Sequence, residues 1–512
     1  MSEESSNKRI AKNTLLLYFR MVFLLGISFY TTRAILQALG VVDLGIYNVV
    51  GGVVAMFGFV NGSLSSASSR FVTYSLGKGD RNDLHSTFNT IVTVHFLFAA
   101  AILILVELGG LWFLYNKLVI PTDRLAAAFW VFQSAVVSSV MVIMTAPFNA
   151  DIIAHEKMSA FAYISIFEAI SKLLIVFVLF NIEGDKLIVY SVLLVVVQLI
   201  VASIYVRYCR THFTESKFRF EWNSEKIRTI FSYAGWVMTG SFAFICCTQG
   251  LNIILNLFFG PAVNAARALA NQLQGAINQF TTNFQTAVKP QITKTYAGGD
   301  LLRMHSLVLA STKFGAFLMT MILIPVCVET EFILSIWLKE VPDHTVQFVQ
   351  IMLFVGVIGA MKDPTMTAIH ATGNIKKAEI VEMVFMLSLL PIAYIALSLF
   401  SITPEFTMLI YLLVELATQI ARVWVIYPRV GLKRMTYLTR ILTPTVLVII
   451  VSISLSFTIK QMFDSSPSYN ILIMIISELV TIVTICLLGL NISEKRLVYT
   501  KIKALVIKIN KK

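Results

Sequence analysis

Residues 187–206 read LIVYSVLLVVVQLIVASIYV and contain no charged side chain. A helix of about 20 such residues spans about 30 Å, the thickness of the hydrocarbon core of a lipid bilayer. The rest of the chain has the same character, since 57% of its 512 residues are hydrophobic and only 13% are charged. Soluble proteins carry about 25% charged residues. The composition therefore indicates an integral membrane protein.

Apolar runs of similar length recur along the whole sequence and predict about fourteen membrane-spanning helices. They lie at residues 14–37, 44–68, 87–108, 125–147, 159–181, 187–206, 231–256, 262–287, 307–328, 345–361, 378–400, 405–427, 441–460 and 470–490. The stretches between them are short and leave no room for a soluble domain. The predicted fold class is an all-α polytopic membrane protein.

Lysine and arginine residues fall mainly on one side of this predicted topology. With a cytoplasmic N-terminus, about 30 of the 41 lie in inner segments and about 5 in outer loops. Positively charged segments remain cytoplasmic during insertion, so both termini are predicted to be cytoplasmic. The net charge of +13 is then explained by contact with anionic membrane lipids, and no nucleic acid partner is expected.

Short motifs recur about 220 residues apart and predict an internal repeat. Gly40 corresponds to Gly260. Gly79-Asp80 and His85-Ser86 correspond to Gly299-Asp300 and His305-Ser306. Ala146-Pro147 and Ala154 correspond to Asp363-Pro364 and Ala371. Each motif returns at the same point of a six-helix cycle. We therefore expect two six-helix halves in the same orientation, related by a pseudo-two-fold axis along the membrane normal, with a cavity between them.

The repeat divides the chain into four predicted parts. Residues 1–206 form an N-terminal six-helix lobe, and residues 231–428 form a C-terminal one. Residues 207–230 are a basic cytoplasmic linker between them. Residues 429–512 comprise a terminal helix pair and a basic cytoplasmic tail.

The N-terminal region carries specific turn motifs. The chain opens with Arg9-Ile-Ala-Lys-Asn-Thr and continues with RAILQALG at 33–40 and Asp43-Leu-Gly45-Ile-Tyr47. This pattern resembles the first two helices of the polysaccharide and O-antigen flippases of the MATE-like (MOP) superfamily. The resemblance implies a protein of the bacterial inner (plasma) membrane that flips undecaprenyl-diphosphate-linked oligosaccharide for O-antigen or capsule, by alternating access between its two lobes. It also implies the polysaccharide polymerase machinery as a candidate partner.

The eighth predicted helix carries a continuous polar stripe. Its members are Asn264, Arg267, Asn271, Gln274, Asn278, Thr282 and Gln285. Steps of three and four residues place them on one helix face, and lipid offers that face no hydrogen-bond partner. The stripe either lines a substrate cavity or joins helices through polar contacts, and its length favours the cavity. Gln249, Asn252 and Asn256 form a similar row on the seventh helix.

A lipid diphosphate requires cations for its phosphates and amides for its sugar hydroxyls. The candidate substrate-binding residues are Arg20, Arg33, Arg267, Lys313, Asn271, Gln274, Asn278, Gln249 and Asn252. Arg33 precedes Gly40, and Arg267 follows Gly260, by the same number of residues, so one arginine is predicted at equal depth in each half.

Three cations at membrane depth have alternative interpretations. Lys172 is expected to pair with Glu168 at i,i+4. Arg422 shares a helix face with Glu415 and Gln419, where local pairing or snorkelling towards head groups is expected. Lys313, near the inner end of its helix, fits snorkelling as well as a cavity.

Other functions find less support in the sequence. A MATE-type multidrug/cation antiporter is the alternative, but it would favour acidic residues in its cavity, and acids within the predicted spans are few. A membrane glycosyltransferase, polymerase or ligase would need a long outer loop. No catalytic residue, cofactor or metal site is predicted, since no CxxC pair occurs and His155-Glu156 lacks a second histidine at metal-binding spacing.

Overall fold

We describe a computed structural model of the protein over residues 3–496, except 56–57, 117, 119, 218, 220, 339–340, 401, 464–465 and 493. This part of the chain is helical and contains no strand, which confirms the predicted all-α fold. In chain order, helices α1 to α16 are Glu3–Ala55, Gly58–Lys78, Arg81–Asn116, Leu125–Ala154, Met158–Phe180, Lys186–His212, Ser224–Phe259, Pro261–Ala297, Leu301–Val328, Thr330–Trp337, Thr345–Thr372, Lys376–Leu399, Pro404–Ile426, Arg434–Tyr437, Thr443–Lys460 and Pro467–Thr484.

Within the described residues, 12 helices are long and apolar enough to cross a membrane. The protein is therefore a multi-pass membrane protein, but the predicted count of fourteen spans is not confirmed. The predicted span at 44–68 is divided between α1 and α2, with residues 56–57 outside the described part. Helix α8 is long enough to span a bilayer, but its polar stripe lowers its hydropathy.

Glycines interrupt the helical path at equivalent points of the two halves. Gly40, inside α1, has φ 78°, and Gly260, between α7 and α8, has φ 82°. This left-handed region is costly for any residue with a Cβ atom, which explains why glycine occupies both positions. The turns after α2 and α8 repeat the pattern, with φ 77° at Gly79 and 79° at Gly299. The sequence repeat is thus also a repeat of backbone conformation.

By its internal contacts the chain divides into two compact units. They are Met1–Phe242, Thr286–Met304 and His370–Glu379 for the first, and Ala243–Gln285, His305–Ile369 and Ile380–Lys512 for the second. The first unit thus includes the end of α8 and the turn between α11 and α12. The lobe boundaries predicted at residues 206, 231 and 428 stay a prediction.

The core of the first unit is aliphatic and aromatic. Leu64 of α2, Phe88 and Ile91 of α3, and Phe132 of α4 are all at most 1% exposed. Lipid tails are as apolar as these side chains, so their contribution comes from close packing rather than from removal from water.

In the second unit, the terminal helix pair packs against α9. Phe317 of α9 contacts Val448 of α15 and the residues Ile485 and Leu490 that follow α16. Lys460, at the end of α15, donates a hydrogen bond of 2.6 Å to the carbonyl oxygen of Val328 at the end of α9. The terminal pair is therefore attached near the middle of α9 and at its C-terminal end.

Candidate functional site

Arg267 of α8 is the largest fully buried side chain among the described residues, with 1% exposure. Its Nη1 donates to the carbonyl oxygen of Thr248 at 3.1 Å and to the side-chain oxygen of Asn252, both on α7. Asn252 in turn donates to Oε1 of Gln249 at 3.2 Å. A polar chain of three predicted site residues therefore links α7 to α8 within the second unit.

The charge of Arg267 has no anionic partner in the described part of the chain. Both of its hydrogen-bond acceptors are uncharged, and its Nε is buried without an acceptor. Burying a cation without a counter-ion is costly, and such residues in membrane proteins usually have a functional role. Among the described residues, the guanidinium group therefore keeps an uncompensated positive charge.

Three other cations at membrane depth are already neutralised. Lys172 Nζ lies 2.6 Å from Glu168 Oε1, as the sequence predicts. Lys313 Nζ lies 2.6 Å from Oε2 of Glu494, beyond α16. Arg422 contacts Gln419 locally, as expected, and also donates to Glu382 Oε2 at 2.9 Å. An ion-paired cation attracts an anionic ligand less, so these three are weaker candidates than Arg267.

Arg20 lies in the first unit, and its environment resembles that of Arg267. Its guanidinium carbon lies 4.4 Å above the ring of Phe161, and its Nε is buried without a described acceptor. Glu168 is close enough to interact with it electrostatically but forms no ion pair with it in the described part of the chain. The side chain of Arg33 lies outside the described part, so its predicted role stays a prediction.

Part of the polar stripe on α8 joins helices within the second unit. Pro364 has no N–H group, so the carbonyl oxygen of Ala360 lacks its usual helical donor. Gln285 Nε2 supplies that donor at 2.8 Å. Gln274 Nε2 likewise donates to the carbonyl oxygen of Met352 at 2.8 Å. These two amides therefore hold α8 against α11, which is the packing role that the sequence left open.

A second row on α8 is free of such contacts. Asn264, Asn271 and Asn278 recur every seven residues and are all partly exposed. Within the described residues their side-chain amides have no hydrogen-bond partner, and Oδ1 of Asn264 is buried. Unsatisfied amides are costly in an apolar environment, which indicates that this face meets water or a polar ligand.

A charged cluster in the second unit was not predicted from the sequence. Lys362 of α11 and Arg422 of α13 both pair with Glu382 of α12. Gln419 extends the cluster to the hydroxyl group of Tyr437 at 3.0 Å. Sequence analysis missed Lys362 because the corresponding span was predicted to end at residue 361, whereas α11 continues to Thr372.

Segments from both halves of the sequence meet inside the first unit at what the topology predicts to be the cytoplasmic side. Arg70 of α2 donates to the carbonyl oxygens of His370 at 3.1 Å and Ala371 at 3.2 Å, at the end of α11. Its guanidinium carbon also lies 4.3 Å from the ring centroid of Phe71 and 4.8 Å from that of Tyr74. A cation at a helix C-terminus is favourable because the free carbonyl groups there carry partial negative charge.

Close packing accompanies this hydrogen bonding. A Cβ atom at Gly77 would lie 2.8 Å from the carbonyl oxygen of Lys294 and 2.6 Å from Cβ of Ala297, so only glycine allows the approach of α2 to α8. Lys294 Nζ lies 2.8 Å from Glu156 Oε1, in the turn after α4. We refer to the contacts of Arg70, Gly77 and Lys294 as the inner contact cluster.

No protein-family profile matches the sequence, and no curated protein matches it. Solved structures do match. A crystal structure of a point mutant of a MATE protein has a TM-score of 0.72 at 10% identity, over 82% of this chain and 96% of that chain. An outward-facing multidrug resistance MATE family transporter of the MOP superfamily has a TM-score of 0.70 at the same identity and coverage.

A third match is a MOP superfamily transporter from Pyrococcus furiosus, whose binding pocket of reverse polarity is reported to suggest a different function. Its TM-score is 0.69 at 10% identity, over 82% of this chain and 96% of that one. The chain therefore has the fold of MATE transporters. At this identity the likeness concerns the fold alone.

Proposed function

We propose that the protein is a transporter that flips undecaprenyl-diphosphate-linked oligosaccharide across the bacterial inner membrane. The observation that carries the proposal is the buried guanidinium group of Arg267, which is bonded only to neutral acceptors. A planar guanidinium donates two parallel hydrogen bonds to phosphate oxygens, and a diphosphate would supply the missing negative charge. A cationic drug would be repelled by the same group.

The amides beside Arg267 suit the carbohydrate part of such a cargo. Asn264, Asn271 and Asn278 present donors and acceptors that no described residue satisfies. Sugar hydroxyl groups both donate and accept, so an amide row can bind them without requiring one fixed sugar. We assign the diphosphate to Arg267 and the sugar to this row, while Arg20 and Arg33 in the first unit stay predicted substrate-binding residues.

Alternating access requires contacts on one side of the membrane to break when those on the other side form. We assign that role to the inner contact cluster. It consists of backbone-directed hydrogen bonds, a glycine contact and one partly exposed ion pair. Each bond contributes only about 0.5–1.5 kcal/mol net, so the cluster can open without unfolding a helix.

Reconstitution tests the proposed activity directly. The purified protein is placed in liposomes with a fluorescent undecaprenyl-diphosphate oligosaccharide, and the fraction of sugar accessible to a membrane-impermeant reagent is followed over time. We expect accessibility to exceed half of the lipid in protein-containing liposomes and to stay at half without protein. Equal traces in the two preparations would contradict the proposal.

The charged cluster of the second unit favours a second candidate, a MATE-type cation antiporter. Glu415 is 7% exposed and has no ion pair in the described part of the chain, although Lys362 and Arg422 interact with it electrostatically. A buried carboxylate is a suitable site for a coupling cation. However, the cluster holds two cations against Glu382 and Glu415, which leaves no net negative charge for a cationic drug. Uptake of a lipophilic cation in the same liposomes distinguishes the two functions.

We also propose that both termini are cytoplasmic and that the polysaccharide polymerase machinery is a partner. The high share of apolar residues, 57%, and the short connections between helices favour transport over catalysis. Flipping breaks no covalent bond, so it needs no nucleophile and no general acid.

A further inference from the structure

Three ionisable side chains meet where α4 ends, outside the site described above. Asp151 lies on the last turn of α4, His155 caps the end of that helix four residues later, and Glu215 follows α6. Asp151 is 0% exposed and Glu215 is 4% exposed. One ligand atom from each of the three residues lies within 4.8 Å of the others. This arrangement requires the chain after α6 to fold back onto the end of α4.

Each carboxylate has one bonded and one unbonded oxygen. Ser216 donates to Asp151 Oδ2 at 2.6 Å, and Thr214 donates to Glu215 Oε2 at 3.3 Å. Asp151 Oδ1 and Glu215 Oε1 are buried and have no hydrogen-bond partner among the described residues. Oδ1 of Asp151 lies 3.2 Å from Nδ1 of His155, and Oε1 of Glu215 lies 3.2 Å from Nε2. The free oxygens of two buried carboxylates therefore converge on a single ring.

The orientation of His155 leaves one nitrogen for a ligand. Its Nδ1 lies 3.1 Å from the carbonyl oxygen of Asp151, a distance at which Nδ1–H donates to that oxygen. Nε2 then carries a lone pair and lies 3.2 Å from Glu215 Oε1, so two electron-rich atoms lie close together without a hydrogen bond between them. The ring of Phe213 stacks on the imidazole with a centroid distance of 4.0 Å and fixes its plane. A backbone carbonyl that accepts from one histidine nitrogen while the other binds an ion is the usual arrangement in metal sites.

We propose that Asp151, His155 and Glu215 bind a divalent transition-metal ion, with Zn²⁺ as the best-fitting ion. Zinc favours a mixed set of imidazole nitrogen and carboxylate oxygen, at about 2.0–2.2 Å from the ion. Two tetrahedral ligands at that length are about 3.4 Å apart, close to the separation between His155 Nε2 and Glu215 Oε1. Two carboxylates and a neutral imidazole carry a charge that a divalent cation neutralises. Calcium and magnesium are less suitable because they require mostly oxygen ligands.

The bound ion would fasten the segment after α6 to the end of α4. Residues 213–217 contain no regular helix and are held mainly by side-chain contacts, with one backbone hydrogen bond of 2.8 Å from the N–H of Phe213 to the carbonyl oxygen of Cys209. Cys209 on α6 lies near both carboxylates, and its Sγ already donates to the carbonyl oxygen of Phe148 at 3.3 Å. The ion is thus assigned a structural role in the first unit, independent of the transported cargo.

Metal titration of the purified full-length protein tests the site. The protein is stripped with a chelator and titrated with Zn²⁺ against a chromophoric competitor. We expect one tightly bound ion per chain and a rise in the midpoint of thermal unfolding. Glu215→Gln keeps the shape of the side chain and is expected to weaken binding roughly 100-fold or more and to abolish the thermal shift. His212→Gln, which alters an exposed histidine on α6, serves as the matched control and should bind as the wild type does.

Three results would overturn the proposal. The first is that the stripped wild-type protein takes up no stoichiometric ion, which would mean that a proton lies between His155 and Glu215. The second is equal binding by wild type and Glu215→Gln. The third is loss of binding in His212→Gln, which would indicate an adventitious surface site. The wild-type titration decides the question even if the Glu215 variant does not fold.

Discussion

His344 pairs with Glu405 in the second half of the chain. The residues that lie 220 positions earlier, Arg124 and Asp185, also pair with each other. In the first half, Arg124 Nη1 lies 2.7 Å from Asp185 Oδ2 and joins the start of α4 to the start of α6. In the second half, the same bond joins the starts of α11 and α13. The duplication therefore extends to a side-chain contact between helix ends, and in the second half a histidine replaces the arginine.

Replacement of Arg124 is expected to destabilise the protein more than replacement of His344. Arg124 also donates to both oxygens of Asp43, so Arg124→Ala leaves Asp43 and Asp185 without their shared cation. We expect a loss of about 1–2 kcal/mol for Arg124→Ala, discounted for partial exposure, and less than about 1 kcal/mol for His344→Ala. Thermal unfolding of the detergent-solubilised protein measures both, with Lys186→Ala as control. The opposite ranking would contradict the structural equivalence of the two pairs.

Gly77→Ala is expected to open the inner contact cluster. The added Cβ would lie 2.6 Å from Cβ of Ala297, so α2 and the end of α8 must separate. A cysteine placed at position 297 should then react roughly tenfold faster with a reagent supplied from the cytoplasmic side, which corresponds to about 1.4 kcal/mol. Gly62→Ala is the matched control, because a Cβ there meets no atom within 4 Å. Equal reactivity in both variants would exclude a gating role for this contact.

The topology can be mapped by cysteine labelling on a cysteine-free background. Cysteines that replace Lys78, Lys217 and Lys433 are expected to react only from the cytoplasm, because these residues lie in the basic segments. Cysteines at Asn116 and Asp343 should react only from outside. Labelling of position 217 from outside would contradict both the orientation and the parallel insertion of the halves.

His85 and His305 occupy equivalent positions of the repeat, yet we expect neither to control transport. His85 contacts the amide of Asn89 at 3.0 Å, and His305 Nε2 lies 2.6 Å from the carbonyl oxygen of Val430. One contact is within a helix and the other joins distant parts of the chain, but both are structural, and the amide of glutamine can replace them. Flipping rates of His85→Gln and His305→Gln should match the wild type from pH 6 to pH 8. A changed pH profile in either variant would give that histidine a coupling role.

The sequence predicts the fold best at positions where only one residue type fits the backbone conformation. Gly40 and Gly260 required a turn at the same place in each half, and both have a left-handed backbone. The spacing on α8 predicted a polar face. The sequence could not show that the amides of Gln274 and Gln285 form hydrogen bonds while that of Asn271 does not. Which amides are bonded depends on the carbonyl groups that α11 leaves without a helical donor.

Long-range clusters could not be predicted from one sequence. His155 and Glu215 lie in different segments of the chain, and only the folding back of the chain after α6 brings them together. No local spacing signals such a pair, since metal motifs are recognised by ligands close in sequence. For the same reason the contact of Arg70 with His370, which are 300 residues apart, was not predicted.

A binding measurement shows whether Arg267 holds the diphosphate of an anionic cargo. Purified wild-type protein and the variants Arg267→Ala, Arg267→Lys and Asn271→Ala are titrated with fluorescent undecaprenyl diphosphate, with a lipophilic cation as the rival ligand. Gln285→Ala removes the buried hydrogen bond to the carbonyl oxygen of Ala360 at a residue outside the proposed ligand contacts, and it serves as the matched control for stability.

A charge-assisted hydrogen bond contributes about 1.5–3 kcal/mol, so Arg267→Ala should bind the diphosphate roughly ten- to a hundredfold more weakly than the wild type. Arg267→Lys keeps the charge without the planar pair of donors, so its affinity for the diphosphate should lie between those of wild type and Arg267→Ala. Asn271→Ala should lose less affinity than Arg267→Ala, and Gln285→Ala should bind the diphosphate as the wild type does. Equal affinity of wild type and folded Arg267→Ala for the diphosphate, together with tighter binding of the lipophilic cation, would contradict the account.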